Sequence, residues 1–565
     1  MKSLRRYKFF LVAVLLGSQS CQDLLEEVPV SQVPDSYFNS RVGFEDAVKA
    51  TYSSLRSYYG REAAMTLSVF GTETYPMGAD GSFKFVNQYT SQIDGRLEPT
   101  REIWNAFYVA INTANAVVDR ADQIPDLDEA TKKRRIAEVK FLRAHHYFIL
   151  VQMFGPVHLT RKENTVASKE ASRASVPDVY AAVVEDLESA LADLPAAPEV
   201  YGRVSKGACE HLLARVYLTK ATSEATAPDD YAKAAAYARN VIGKYTYRLL
   251  PDFAAVFEQG AGEVNNEVIF ATQYTSDPLT NVGPGITGGT ITGNQTHLYF
   301  GMEYDVQAGL QRDVLNGRPF KRFRPTDYTL NVVFRDKVND SRYRKSFKDT
   351  YLSNKPGTYN TAFDNSKKTV KFAAGDTAIY LPGYNMSEGD RAKKPYQVLI
   401  PSAYRANLFP ALTKYFDLLR PDRTYEAGSR DFLMFRLAET YFIAAEALVK
   451  QGKVDEALPL INAVRQRAAS VGKTPEETEA YRKAMAITAN QLTMEFIMEE
   501  RERELLGEMF RWFDLKRWGV LVERVKRHNP DAAAIQPFHV LRPIPQDQID
   551  RTAGGASAFP QNPGY

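Results

Sequence analysis

The chain has 565 residues, 44% hydrophobic and 25% charged, with a formal net charge of +3. That length exceeds what a single core sustains, so at least two substructures are expected, and the composition excludes a disordered or fibrous chain. Lys2, Arg5, Arg6 and Lys8 lie in a segment expected to be removed. Without them the basic residues fall one short of the 68 acidic ones, a balance that argues against nucleic acid as a partner.

In residues 1–20 a basic start precedes an apolar run at 9–16, then small and polar residues up to Cys21. The run is too short to span a bilayer, so it reads as a secretory signal, and the placing of Cys21 is similar to a bacterial lipoprotein processing site. Cys21 is then the lipidated N-terminus. Cys209 remains alone and is expected to act as a small apolar residue. Residues 21–40 are acidic, contain proline and lack a period, which fits a tether. The next region, 41–270, reads as helical, with amphipathic stretches at 41–59, 103–121, 128–154, 177–194 and 205–221. Gly155-Pro156 closes the third, and Ser175 and Ser205 are N-cap residues for the last two. From 271 to 405 glycines crowd a Thr- and Asn-rich stretch, and short alternating runs at 268–273 and 369–373 predict strands. A loop-rich insertion of that length is expected to carry function. Helical order returns in 406–565, with helices expected at 407–419 and 491–507, and ends in a turn-rich tail.

Residues 430–467 organise the rest. Phe435, Ala438, Tyr441, Phe442, Ala445 and Leu448 form one helical stripe, Gly452 ends it, and Ala457, Leu458, Ile461, Val464 and Ala468 form a second. Two helices joined by so short a turn fold back as a hairpin. Pro459 is placed to delay or bend the second one. An Ala-x-x-Tyr pair followed by Phe or Leu occurs at Ala144–Tyr147, Ala214–Tyr217 and Ala438–Tyr441. The fold class expected is therefore mainly α: tetratricopeptide-like hairpins forming a scaffold, with a loop-rich insertion that contains short β-strands.

Several segments in order resemble the SusD/RagB family of surface nutrient-binding lipoproteins. They are Cys21–Glu26, Trp104–Tyr108 with Asn112–Asn115, Glu138–Ala144, Phe154–Val157, Ser205–Ala208, the hairpin, Glu500–Leu505, Arg511–Arg517, Pro543–Pro545 and Gln561–Tyr565. The resemblance implies an outer-membrane protein held through its N-terminal lipid anchor and exposed at the cell surface. It implies an oligosaccharide ligand, or a peptide or other nutrient, passed to a SusC-like TonB-dependent transporter. A helical-repeat assembly scaffold that binds only protein is the alternative.

No catalytic residue, metal or cofactor is expected. Adjacent His145 and His146 point about 100° apart on a helix and do not share an ion. Glu499, Glu500, Glu502 and Glu504 alternate with Arg501 and Arg503, which reads as a salt-bridged helix face and not as a glycosidase pair. Trp512, Phe513 and Trp518 read as core. A sugar site needs flat apolar faces and convergent polar groups, and two non-helical stretches, 71–89 and 271–304, supply them. Tyr75, Phe83, Tyr274, Tyr299 and Phe300 are the candidate stacking surfaces, with Asp80, Asn294 and His297 as hydrogen-bonding groups. Burial in ordinary loop packing is the competing role for each.

Overall fold

Helices form where apolar periodicity coincides with capping chemistry. In a computed structural model that describes residues 35–79, 81–281, 292–361 and 368–565, the first half contains α1 (Arg41–Ser53), α2 (Glu98–Arg120), α3 (Glu129–Phe154), α4 (Val176–Asp193), α5 (Lys206–Lys220) and α6 (Asp230–Lys244). The second half contains α7 (Leu437–Lys450), α8 (Val454–Arg467), α9 (Met494–Leu505), α10 (Arg511–Arg517) and α11 (Leu521–His528). Ser175 and Ser205 cap α4 and α5, accepting the amides of Asp178 and Ala208 at 3.2 Å. Gly155, at φ +71°, closes α3. The signal segment, Cys21, most of the tether and Asp80 lie outside the described residues. Among the described residues, no helix is long and apolar enough to cross a membrane.

Successive helices pack as neighbours from α1 through α8, and α6 meets α7 across the insertion. The three Ala-x-x-Tyr copies lie in α3, α5 and α7, each the first helix of a hairpin, α3/α4, α5/α6 and α7/α8. Ala144, Ala214 and Ala438 are buried where the helices approach. The Tyr147 hydroxyl bonds the Thr160 carbonyl at 2.9 Å, and the Tyr217 hydroxyl donates to Glu188 at 2.8 Å. Each copy therefore places one small residue for close approach, and Tyr147 and Tyr217 each add a ring whose polar tip is hydrogen-bonded. Gly452, at φ +75°, ends the α7 turn, with the Lys453 amide bonding the Leu448 carbonyl at 2.9 Å. The helix after it is not delayed: α8 begins at Val454 and continues through Pro459, which sits on its exposed face.

The strands are β1 (Val268–Thr272), β2 (Thr350–Leu352), β3 (Gly357–Asn360), β4 (Thr369–Phe372), β5 (Thr377–Tyr380), β6 (Gln397–Val398) and β7 (Phe432–Arg436). β1 runs antiparallel to β7, with Val268 opposite Arg436 and Thr272 opposite Phe432. The chain thus leaves the helical scaffold and returns to it through one two-stranded doorway. Phe435, expected to begin the α7 stripe, lies in β7 instead, because pairing with β1 and burial of Phe432, Met434 and Phe435 favour the extended chain. Inside the insertion β2–β5–β6 and β3–β4 form small sheets over a separate core of Met302, Tyr304, Tyr351, Phe372, Ile379 and Phe409. The helix expected at 407–419 is absent: Pro410 removes a donor there, and Leu412 bridges to Phe347 as extended chain.

The acidic run on α9 is the main surprise. Read as a helix face, it lies inside the protein, with Glu500, Glu502 and Glu504 at most 3% exposed. Arg342 pairs with Glu500 at 2.6 Å and Glu504 at 3.1 Å. Arg436, the last residue of β7, meets Glu504 at 2.8 Å, Glu508 at 2.6 Å and Glu267, just before β1, at 3.2 Å. Arg467 of α8 holds Glu267 at 2.7 Å, and Arg501 holds Glu439 of α7 at 3.0 Å. Burial alone would raise the Glu504 carboxyl, but Arg467, Arg436 and Arg342 outweigh it and hold it at about 2. Glu502 goes the other way: burial pushes it up to about 7, because Arg511, 3.3 Å away, also serves Glu73 at 2.6 Å.

Two outcomes follow from this network. Arg436→Ala leaves Glu267, Glu504 and Glu508 buried without their shared cation and should cost about 3–5 kcal/mol in denaturant unfolding; a loss under about 1 kcal/mol, the scale of a surface pair, contradicts the assignment. The Glu502 carboxyl, raised from 4.5 to about 7, opposes folding as pH rises through that window, since the unfolded chain ionises first. Glu502→Gln removes that term, so its Tm relative to the parent should become more favourable from pH ~4.5 to pH ~8, and a constant offset would exclude it.

Candidate functional site

The two stretches singled out for ligand contact are brought together by backbone pairing. Residues 74–79 run along 322–326. The Gly78 amide bonds the Arg322 carbonyl at 2.8 Å, Arg324 the Pro76 carbonyl at 3.1 Å, and Thr326 the Thr74 carbonyl at 3.0 Å. The Ala79 amide reaches the Ala406 carbonyl at 2.8 Å, and Phe323 bonds the Tyr299 carbonyl at 3.1 Å. Loop 71–89 therefore lies over the 299–326 segment and beside 404–407.

Most of the candidate rings are under this surface and not on it. Tyr75, Tyr299 and Phe300 are 0%, 1% and 2% exposed. Tyr75 meets Phe300 edge-to-face at 5.1 Å, and Phe300 stacks on Tyr415 at 5.6 Å. In this structure they present no ring face to a ligand; they form the packed layer that supports the loop. Tyr274 is buried as well, with its hydroxyl bonded to the Tyr59 carbonyl. Asn294 donates to the Arg430 carbonyl at 2.8 Å and accepts the Thr296 amide at 3.0 Å, so its amide is used in holding the chain. Burial, with Arg420 nearby, depresses His297 to about 4 and keeps it neutral. The physical reason is common to all of them: a long irregular insertion needs its own buried aromatic and polar groups to satisfy its backbone.

Phe83 is the exception. Half-buried, it sits 6.2 Å from Phe85 with the rings edge-to-face. It holds φ +62°, and Tyr89, at the other end of the short helix Lys84–Gln88, holds φ +53°. Left-handed bulky residues cost about 1–3 kcal/mol each and persist only where the surroundings enforce them. Here the Tyr89 hydroxyl bonds the Gly71 carbonyl at 3.0 Å, and Asn529 from the C-terminal region ties Asn87 at 2.8 Å to the Thr72 carbonyl at 3.0 Å. Gly81 lies against the Arg322 side chain.

Beside this loop is an open cleft of about 620 Å³, lined among others by Pro76, Arg324, Tyr328, Asn331, Tyr404 and His528. Tyr328 opens a π-helical turn, Tyr328–Val333, which turns Asn331 and Val332 out to solvent. Its ring stacks on His528, the last residue of α11, at 4.1 Å, and its hydroxyl is held by Arg524. Burial lowers the His528 pKa, with Arg524 adding to it. Tyr404 also lines the cleft, and Asp327 adds a carboxylate. Tyr328 itself is buried, so the rings the cleft offers are the half-buried Tyr404 and His528, beside exposed amide, guanidinium and carboxylate groups, a lining suited to a hydroxyl-rich ligand. Tyr328, Tyr404, Asn331 and His528 were not among the sequence candidates. They come from three distant segments with no shared period, and only the prolines around them mark a surface.

Elsewhere the histidine pair has structural partners: His145 bonds the Tyr59 hydroxyl at 2.8 Å and His146 the Ser54 hydroxyl at 2.9 Å. Among the described residues, no group of three or more His, Cys, Asp or Glu side chains is placed to hold a metal ion. Cys209 is buried and its thiol donates to the Leu187 carbonyl at 3.2 Å. Trp512 is fully buried, while Phe513 and Trp518 are half-buried against the core.

A tetratricopeptide-like helical scaffold carrying an irregular insertion with an open cleft is a fold with known relatives. The chain belongs to the SusD family, whose model matches residues 266–565; a second model, described as starch-binding associating with outer membrane, matches residues 24–218. SusD-like protein P2 of Formosa agariphila is 26% identical over the whole of both chains. The starch-binding protein SusD of Bacteroides thetaiotaomicron is 24% identical over 79% of this chain and 75% of its own. Among solved structures, a laminarin-binding SusD-like protein superposes with a TM-score of 0.67 at 22% identity, covering 93% of this chain and all of the other. The surface glycan-binding protein A of Bacteroides fluxus superposes at 0.68, with 18% identity, over 93% and 99%.

Proposed function

We propose that this protein is a cell-surface glycan-binding lipoprotein, without enzymatic activity, that captures oligosaccharide and delivers it to a TonB-dependent outer-membrane transporter of the SusC type. The cleft between Tyr404 and the Tyr328–His528 stack carries the reading. It combines aromatic side chains with outward polar groups, and Pro76 of the loop that bears Phe83 lines it. Family membership and relatives named for starch, laminarin and surface glycan binding support the ligand class. Asp327 is the one carboxylate among the residues lining the cleft, whereas glycoside hydrolysis requires an opposed pair; this supports binding without cleavage. Cys21 would carry the lipid, residues 21–40 would act as the tether, and the barrel would raise the effective concentration of captured glycan. Phe83, half-buried on the same loop as Pro76, keeps its proposed stacking role. The buried Tyr75, Tyr299 and Phe300 support the loop from below.

The test is retardation of residues 22–565 in native gels loaded with a panel of polysaccharides. Selective retardation by one glycan is expected, and Tyr404→Ala should weaken that binding about tenfold, the equivalent of one lost aromatic contact. Absence of retardation by every glycan would favour a purely protein-binding scaffold or a peptide ligand.

A further inference from the structure

Two clefts away from this site meet at the C-terminal end of α1. One, of about 380 Å³, is lined in part by Tyr52, Arg56, Tyr201, Arg203 and Gln273; the other, of about 660 Å³, by Arg56, Arg61, Glu102, Leu279 and Thr280. Ser53 and Arg56 border both, so they form a single groove with the Arg56 guanidinium at its waist. The charged residues along it are mostly cationic: Lys49, Arg56, Arg61 and Arg203 against Glu102. Lys49 is paired to Asp46 at 3.0 Å and Arg203 to Glu138 at 2.6 Å. Arg56 differs. It reaches the Thr280 carbonyl at 3.4 Å, the outer limit of a hydrogen bond, and no carboxylate is within ion-pair distance of it among the described residues; Asp431, which accepts the Tyr274 amide, is only near enough to feel its charge.

The guanidinium is nevertheless held in place. It lies 5.8 Å over the ring of Tyr274, and that ring is fixed by its hydroxyl on the Tyr59 carbonyl. Tyr274 thus acts as the floor under Arg56. On the rim Gly202, at φ +89°, lets the Gln273 amide lie against the backbone, since a Cβ there would come within 2.1 Å of the amide oxygen. A planar guanidinium supported on a ring, with donors not engaged by protein carboxylates, has the geometry for bidentate recognition of a carboxylate or sulfate.

We propose that this groove is a second binding site, one that takes an anionic saccharide unit bearing a uronate carboxylate or a sulfate ester, with Arg56 reading the charge. The inference rests on the glycan-capture reading and adds a ligand class and a second location to it.

The test titrates residues 22–565 with tetragalacturonate and with a sulfated galactan tetrasaccharide, at low and high salt, beside the neutral tetrasaccharide made by carboxyl reduction. At least one acidic probe should bind, more weakly in high salt. Arg56→Gln should weaken that binding about tenfold or more, with a smaller loss in Arg56→Lys. Binding of any neutral glycan retained by the parent should be unchanged in Arg56→Gln, which also shows that the variant is folded. Failure of both acidic probes to bind the parent, or equal binding by Arg56→Gln, overturns the inference. If neutral glycans bind and acidic ones do not, the second site alone is wrong; if no glycan of either kind binds, the capture reading falls with it.

Discussion

Everything in this molecule is hung on the carboxylates of α9 and the arginines that neutralise them. Glu500 and Glu504 are inside the protein, where a charge without a partner is prohibitively costly. Their partners arrive from Arg342 in the insertion, Arg436 at the end of β7, and Arg465 and Arg467 on α8. Those segments are remote in sequence, so the ion pairs close only when helical scaffold and insertion have both taken their places. Replacing such a network with apolar groups is often tolerated, and what it supplies is specificity of arrangement as much as stability. In this chain the arrangement it specifies is the seating of an irregular insertion on a regular helical array.

That seating makes a binding surface possible. The β1–β7 doorway fixes where the insertion leaves and rejoins the scaffold. The aromatic layer of Tyr75, Phe300, Phe323 and Tyr415 fills the space beneath loop 71–89. Asn529, in the C-terminal region, then pins that loop from the other side. Positive φ at Phe83 and Tyr89 is the local cost of this bracing. A shallow site gains affinity by losing little entropy on binding, and a loop braced on three sides is already ordered.

The helical half of the fold was legible because its signals are local. Caps at Ser175 and Ser205, the glycine stops at Gly155 and Gly452, and the Ala-x-x-Tyr copies each report on neighbours a turn or two away. The failures share one cause, which is that long-range pairing decides the outcome. Phe435 fits the helical period of α7 yet lies in a strand, because β1 is there to pair with. Glu500, Glu502 and Glu504 are salt-bridged, as their alternation with arginines suggests, but nothing in α9 itself announces their burial or the arginines arriving from residues 342, 436, 465 and 467. Apart from Pro76, the candidate cleft is lined by residues outside both stretches singled out in the sequence. Of the two stretches only 71–89 reaches the cleft, through Pro76, and aromatic content does not distinguish a ring that faces a ligand from one that supports a loop. Phe83 could be inferred to be special only through its φ, which no sequence shows. Tyr328, His528 and Tyr404 meet only in three dimensions.

The most direct test of the account is hydrogen exchange of the full chain, with and without the glycan that retards it. The account predicts that added protection falls on residues 81–89, 324–333 and 401–407, the backbone around the cleft, while the α9 network exchanges equally slowly in both states. Protection confined to the helical hairpins, with the cleft segments unchanged, would contradict it and move the ligand to the repeat scaffold.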